Sequence, residues 1–271
     1  MKDTVKVPWK AYILNAFCTV LIFVALSGMI EAKVIDKYIQ GIIMLVFVNI
    51  ILAVSLNLTT GFLGQIALGH AGFMSIGAYT SAIITKAVKD LPDGSFLQSL
   101  PPQLIFGVAL LAGGILAALF GILVGIPALR LKGDYLAIIT LGIGLVFVSI
   151  ANNLQTIDGF KYGVDGPSYY TSIAGNTPIF ASFLIITLVC FIMIFKSRHG
   201  RAILAIREDE IAAEASGIPV KKYKIFTFTL SAIFAGLAGG LYYHFASFLG
   251  TSLFSQDRSI ELLVFIVLGG L

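Results

Sequence analysis

The chain has 271 residues, of which 58% are hydrophobic and only 12% are charged, and its formal net charge is +4. Ordinary soluble domains carry about 25% charged residues, so this composition excludes a soluble globular protein. The apolar residues come in blocks of about 20, the length at which a helix crosses a hydrocarbon core roughly 30 Å thick. The composition therefore predicts an all-α fold, that of a polytopic helical membrane protein.

Eight apolar segments follow one another along the chain. They cover residues 11–30, 39–58, 65–85, 104–129, 135–151, 179–195, 225–248 and 260–271. The last segment is too short to cross a bilayer as a helix. We therefore expect either that the native protein continues past Leu271 or that this last run is re-entrant. No linker or internal repeat divides the sequence, which predicts one transmembrane domain over residues 1–271.

The basic residues indicate which loops are cytoplasmic, because Lys and Arg beside membrane spans are retained on that side. If the N-terminus is inside, alternation of the segments places twelve basic residues inside and six outside. The outer six are Lys33, Lys37, Lys86, Lys89, Lys161 and Arg258. Charge and segment count together predict a multi-pass protein with a cytoplasmic N-terminus. The longest outer loop, residues 152–177, either contacts an external partner or is a plain ordered loop.

A polar island, residues 196–224, lies between two apolar segments and holds seven basic residues, which predicts a cytoplasmic loop. Asp209 is placed to cap a short helix, with Glu210 in its first turn, where the helix dipole favours a negative charge. Gly217 is placed to end that helix in a left-handed conformation, and Pro219 prevents its resumption. The sequence therefore predicts one short helix within the island.

The predicted short helix has an apolar face made mostly of small side chains. Helical periodicity places Ile211, Ala212, Ala215 and Ile218 on this face and Glu210, Ala213 and Glu214 away from it. A helix this short is marginal alone, so another surface must hold it. It either packs on the protein's own helix ends or at the lipid interface, or inserts into a groove of a cytoplasmic partner.

A glycine-rich stretch of otherwise apolar residues begins at Ser55, near the end of the second apolar segment. Its five glycines are Gly61, Gly64, Gly69, Gly72 and Gly77. Small residues let helix backbones approach closely in lipid, so these glycines predict close helix packing. Asn57, Gln65 and His70 lie in the same stretch and need partners inside the bundle or in a wet cavity. The stretch is therefore either a tightly packed central helix or a broken one, with these three polar residues as candidates to line a substrate path.

Three blocks of this sequence resemble a known family. TGFLGQIALGHAGFMSIGAY (residues 60–79) looks like the signature of bacterial branched-chain amino acid ABC transporter permeases of the LivH and LivM type. GDYLAIITLGIG (133–144) and SRHGRAILAIREDEIAAEASGI (197–218) are similar to blocks of the LivM subtype. The final VLGGL (267–271) resembles the start of a further family block, after which the family's chain normally continues.

The resemblance implies that the island is a loop that couples the permease to ATPase subunits. The coupling residues would be Asp209, Glu210, Ile211, Ala212, Ala213, Ala215 and Gly217. The family's coupling motif has Glu-Ala-Ala with Gly four residues after the second Ala. Here the two alanines and the glycine match, whereas Ile211 stands where Glu belongs and Glu210 comes one position early.

The resemblance also implies a complete importer in the bacterial inner membrane. Its parts would be this permease, a paralogous permease subunit, two cytoplasmic ATPases and an external or periplasmic solute-binding protein. The implied substrates are leucine, isoleucine and valine, with urea or short amides as the alternative within the same family. Membrane lipid would surround the bundle.

Several other function classes are disfavoured by the sequence. The chain has no GxxxxGK[ST] phosphate loop, so ATP and Mg would be bound by partner ATPases and we expect no cofactor in this chain. His70, His199 and His244 fall on different segments without a catalytic or zinc motif, which predicts neither an enzyme nor a metal site. No motif for nucleic acid is present. No apolar segment carries a charged residue at its centre, which disfavours an ion-coupled secondary transporter.

Overall fold

The computed structural model describes residues 36–89, 101–129, 131, 134–154, 164–165, 173–246 and 248–270. Its helices are α1 (Lys37–Asn57), α2 (His70–Lys89), α3 (Pro102–Ala128), α4 (Asp134–Leu154), α5 (Ile173–Lys196), α6 (Arg198–Glu208), α7 (Glu210–Ala215), α8 (Val220–Phe245) and α9 (Gln256–Gly269). Two short strands, β1 (Val164–Asp165) and β2 (Phe248–Leu249), pair antiparallel. The predicted all-α fold is confirmed. The apolar segment 11–30 and most of the loop 152–177 lie outside the described residues.

Three described helices are long and apolar enough to cross a membrane. They are Tyr38–Phe62, Gln103–Ala128 and Val220–Phe245. α5 and α6 form a fourth candidate if they are counted as one span, although they bend by 70° at the break between them. Ser197 lies at this break, and its hydroxyl accepts hydrogen bonds from the backbone N–H groups of His199 and Gly200. This cap starts α6 as a separate helix, so the polar island begins with a helix of its own.

α8 and α2 form the centre of the bundle. Burial covers 61% of the most apolar part of α8, against 39% and 44% in the other two long spans. A Cβ added to Gly77 of α2 would overlap the backbone of Gly236 in α8. A Cβ added to Gly72 would lie 2.6 Å from the Cα of Gly144 in α4. Helix backbones therefore touch at these glycines, as expected for packing by small residues in a membrane.

The predicted apolar segment 65–85 is a helix only in its later part. α1 continues beyond Asn57 as one π-helical turn, Leu58–Phe62, and the chain is then non-helical until α2 begins at His70. Gly64 has φ +72°, a left-handed conformation that glycine adopts without steric cost. The sequence left a packed helix and a broken one as alternatives, and the structure has both: a break first and then the closely packed α2.

The chain around the start of α9 packs against α2. The preceding 3-10 helix, Thr251–Phe254, places the Phe254 ring 6.0 Å from the Tyr79 ring of α2. The Ser259 hydroxyl accepts a hydrogen bond of 3.3 Å from the backbone N–H of Ala71, at the start of α2. After α8 the chain therefore folds back between the helices before α9 starts.

Candidate functional site

The predicted short helix of the polar island is α7, and its start is confirmed. The Asp209 carboxylate accepts hydrogen bonds from the N–H groups of Ile211 (2.8 Å) and Ala212 (3.0 Å). These bonds satisfy two backbone donors that the first turn of a helix otherwise leaves free. Asp209 thus separates α7 from α6, which ends one residue earlier.

The end of α7 is also confirmed. Gly217 has φ +83°, and its N–H donates to the Glu214 carbonyl at 3.0 Å. The N–H of Ile218 donates to the Ala213 carbonyl at 3.1 Å. This pair of bonds is the Schellman arrangement, which needs a left-handed residue at the position of the glycine. Local capping rules therefore fix both ends of the six-residue helix.

The structure shows which side of α7 faces the protein. Ala213, predicted to lie away from the apolar face, is buried against the protein, so most of the predicted apolar face points away from it. It packs in a cluster with Leu63, Ile203, Ile206 and Val220. Ile211 is 76% exposed, and Ala212 and Ala215 are exposed as well. Periodicity ranks faces by hydrophobicity, but in one and a half turns a single tertiary contact decides which face lies inward.

The sequence predicted one helix in the island, and the structure has two. α6 was missed, although Ser197 as an N-cap and the spacing of Ile203 and Ile206 are the signals that could have found it. The Arg207 guanidinium donates to the Gly61 carbonyl in the π-helical turn after α1. We call residues 198–218 the platform. It rests directly against the break between α1 and α2.

A buried ion pair joins the platform to the central helix. The Lys224 ammonium of α8 lies 2.9 Å from the Glu210 carboxylate of α7. Lys224 is only 3% exposed, and a buried charge is tolerated when a partner neutralises it. The platform therefore contacts α8 through this pair and the α1–α2 break through Arg207.

The three predicted path residues lie along the α1–α2 break. His70 is buried, with its Nε2 2.7 Å from the Ser55 hydroxyl. That hydroxyl donates to the Leu52 carbonyl at 2.8 Å, so Nε2–H is the donor to Ser55. Among the described residues, Asn57 Oδ1 and Gln65 Oε1 are buried without a hydrogen-bond partner. His70 thus has the geometry of a packing residue. Asn57 and Gln65 each have a side-chain oxygen that can still accept a hydrogen bond.

Replacing His70 by Asn tests the two interpretations. The shorter side chain loses the bond to Ser55, and we expect a loss of about 1–3 kcal/mol in stability for the unmatched buried groups. Thermal unfolding of the purified protein measures this loss, with Thr80→Val as a control for removal of a side-chain-to-backbone bond in the same helix. If His70→Asn keeps full stability but stops solute uptake, His70 lines the path.

Arg258, which the sequence placed in an outer loop, lies in the first turn of α9. Its Nη2 donates to Asn49, near the midpoint of the 25-residue span Tyr38–Phe62. Its Nη1 lies 2.9 Å from the Glu261 carboxylate. No apolar segment carries a charge at its own centre, as predicted, but the start of α9 brings the Arg258 guanidinium to the middle of a neighbouring span. Counting apolar segments cannot detect such a contact between helices.

Comparison with known proteins gives consistent results. The family model described as "Branched-chain amino acid transport system / permease component" matches residues 38–271. The high-affinity branched-chain amino acid transport system permease protein LivM of Escherichia coli K12 is 33% identical, over 84% of this chain and 57% of that protein. The probable LivM of Methanocaldococcus jannaschii is 27% identical, over 71% of this chain and 63% of that protein.

A relative with a different named solute also matches. The guanosine ABC transporter permease protein NupQ of Bacillus subtilis 168 is 28% identical, over 66% of this chain and 58% of that protein. The chain spans 57% of the length of the Escherichia coli relative. No solved structure matches the chain.

Proposed function

The chain belongs to the family of permease components of branched-chain amino acid transport systems, and we propose that it forms part of the solute path of an ATP-driven importer. The proposed substrates are leucine, isoleucine and valine. The LivM relative of Escherichia coli, a branched-chain amino acid transport permease by name, is the basis for preferring them to guanosine. Urea or short amides remain the alternative within the family.

The rest of the importer follows from this proposal. Two cytoplasmic ATPases would bind ATP and Mg, a paralogous permease subunit would complete the path, and an external solute-binding protein would deliver the solute. This chain would have no catalytic role of its own. We infer that its N-terminus and platform lie in the cytoplasm, since the basic residues of the island would otherwise have to be translocated.

The exposed side of α7 is the observation that carries the proposal. Ala213 and the Glu210–Lys224 pair hold the helix on one side, while Ile211, Ala212 and Ala215 project from the other. An apolar side with short side chains suits insertion into a groove of a partner protein. We infer that this side docks on the ATPase.

Movement of the docked platform would reach the path by two routes. The Glu210–Lys224 pair connects α7 to α8, the central helix. The Arg207 bond to Gly61 connects α6 to the π-helical turn, and such turns often mark functional sites within helices. Closure of the ATPases would thus shift α8 and the α1–α2 break together. The platform would move as a rigid body and carry the movement of the ATPases to the helices of the bundle.

Replacing Ala212 or Ala215 by Asp tests this proposal. Both side chains are exposed, so we expect normal insertion and folding, but a charge would enter an apolar groove unpaired. The measurements are pull-down of the ATPase and solute-stimulated ATP hydrolysis by the reconstituted complex, both expected to fall at least fivefold. Ala212→Ser, which adds a small neutral group, is the matched control. Retention of both activities by the Asp variants would show that α7 does not dock.

The substrate is tested separately by uptake into vesicles that contain the complete importer and its solute-binding protein. We expect uptake of labelled leucine, with competition by isoleucine and valine. Uptake of guanosine or urea without leucine would contradict the proposed substrates and leave the ATPase coupling intact.

A further inference from the structure

Arg258 occupies a position that apolar packing does not explain. It bonds to Asn49 near the middle of a 25-residue apolar span, about 17 Å from the start of that span at 1.5 Å per residue. Charged residues among membrane-spanning helices are rare, and they face a bundle interior or a wet cavity. Its position therefore indicates a function at this depth.

A cavity of about 330 Å³ adjoins this arginine. Its size is within the range of roughly 300–1,000 Å³ found for small-molecule sites. The guanidinium has five N–H donors. Its Nη2 donates to Asn49 and its Nη1 donates to Glu261, and each of these nitrogens carries a second N–H. Arg258 is therefore able to bind an anionic group in the cavity as well.

The charges around the cavity are of both signs. Arg258 is accompanied by the carboxylates of Asp257 and Glu261, so both an anion and a cation have a partner within one turn of α9. Tyr242 and Ser255 add hydroxyl groups to this polar side. Arg258 and Glu261 also pair with each other at 2.9 Å, so a ligand with both charges offers each of them a partner of the same kind.

Apolar side chains also line the cavity. They are Leu45 of α1, Met74 of α2 and Leu253 of the 3-10 helix. An aliphatic side chain that packs against them is removed from water, which is favourable. Methionine adapts its shape to differently branched partners. The lining of the cavity thus combines charged groups with adaptable apolar side chains.

We propose that this cavity is a binding subsite for a small aliphatic zwitterion, an amino acid with its carboxylate on Arg258 and its ammonium on Asp257 and Glu261. Bidentate pairing of a guanidinium with a carboxylate supplies both energy and orientation. The inference rests on the proposed function in that it names where in this chain the transported amino acid is recognised. The permease then contributes to selectivity itself, after release from the external binding protein.

The test is ligand binding to the purified complete complex without its solute-binding protein, measured by saturation-transfer NMR. Three probes separate the charges: leucine, 4-methylpentanoate, which lacks the ammonium, and 3-methylbutylamine, which lacks the carboxylate. We expect leucine to bind most tightly. Arg258→Met should weaken leucine and 4-methylpentanoate at least tenfold and spare the amine. Glu261→Gln should weaken leucine and the amine and spare 4-methylpentanoate.

Arg198→Met is the matched control, since it removes an exposed arginine of α6 and should leave all three probes unchanged. If Arg258→Met does not assemble, Arg258→Lys keeps the charge, loses the bidentate geometry and should weaken leucine severalfold. Absence of leucine binding to the unmodified complex, unchanged leucine binding to Arg258→Met or Arg258→Lys, or equal weakening of all three probes would overturn the subsite.

Vesicle uptake by the unmodified importer separates this inference from the proposed function. Leucine that binds in an Arg258-dependent way but is not transported contradicts the proposed function and supports the subsite. Leucine that is transported while its binding is insensitive to Arg258 contradicts the subsite alone.

Discussion

Replacing Gly77 by Val is expected to abolish folding of the bundle. A Cβ at this position would overlap both the carbonyl oxygen and the Cα of Gly236 in α8, and backbone atoms cannot rotate aside as a side chain can. Gly113 of α3 also approaches, since a Cβ there would lie 2.8 Å from the Gly77 carbonyl oxygen. Overpacking in a well-filled core costs about 1–3 kcal/mol when side chains can adjust. We expect a larger loss where three backbones meet.

The yield of monodisperse protein extracted from membranes measures this effect. Gly107→Val is the matched control, because it makes the same change in a neighbouring helix at a position with no atom within 4 Å of an added Cβ. We expect the control to retain the yield of the unmodified protein. Gly77→Val is expected to give about one tenth of that yield or less. Equal yields for the two variants would mean that α2 and α8 can move apart without loss of stability, which would contradict the prediction.

Local features were predictable because they depend on neighbours in the sequence. The cap at Asp209 and the left-handed Gly217 follow from residue type and spacing, and the structure has both. The glycines of α2 were predicted to allow close packing, and Gly77 lies against a backbone as expected. Which helix each glycine would contact was not predictable, since the sequence carries no register between helices.

Features that depend on tertiary structure were not predictable. Which side of α7 faces the protein was left open, because the neighbours of Ala213 in the cluster come from three separate segments. The contact of Arg258 with Asn49 was not predicted, because hydropathy marked this helix only from residue 260 and carries no information on contacts between helices. The Asp257, Arg258 and Glu261 spacing before an apolar run was the available signal for a charged group entering the bundle. The pairing of Glu210 with Lys224 had no local signal at all.

Removing Glu210 from the Glu210–Lys224 pair is expected to cause a strong defect in coupling to the ATPase, and a second substitution at Lys224 is expected to correct it. Lys224 sits almost fully buried at the base of α8, while the Glu210 side chain is 34% exposed. Glu210→Ala would leave the ammonium buried without this carboxylate. Removing one partner of a buried pair costs roughly 3–5 kcal/mol, and partial exposure of Glu210 reduces this to about 1–3 kcal/mol. We expect this loss to weaken the contact between α7 and α8.

A double-mutant cycle measures this link. We expect Glu210→Ala to lower solute-stimulated ATP hydrolysis at least tenfold and to expose the platform to limited proteolysis. Glu210→Ala combined with Lys224→Met should recover much of both properties, because replacing a buried ion pair by apolar groups removes the charge that lacks a partner. Glu214→Ala, which removes an exposed carboxylate from the same helix, is the control. If the double variant is as defective as Glu210→Ala alone, the contact that transmits movement from α7 is the Ala213 cluster and not the ion pair.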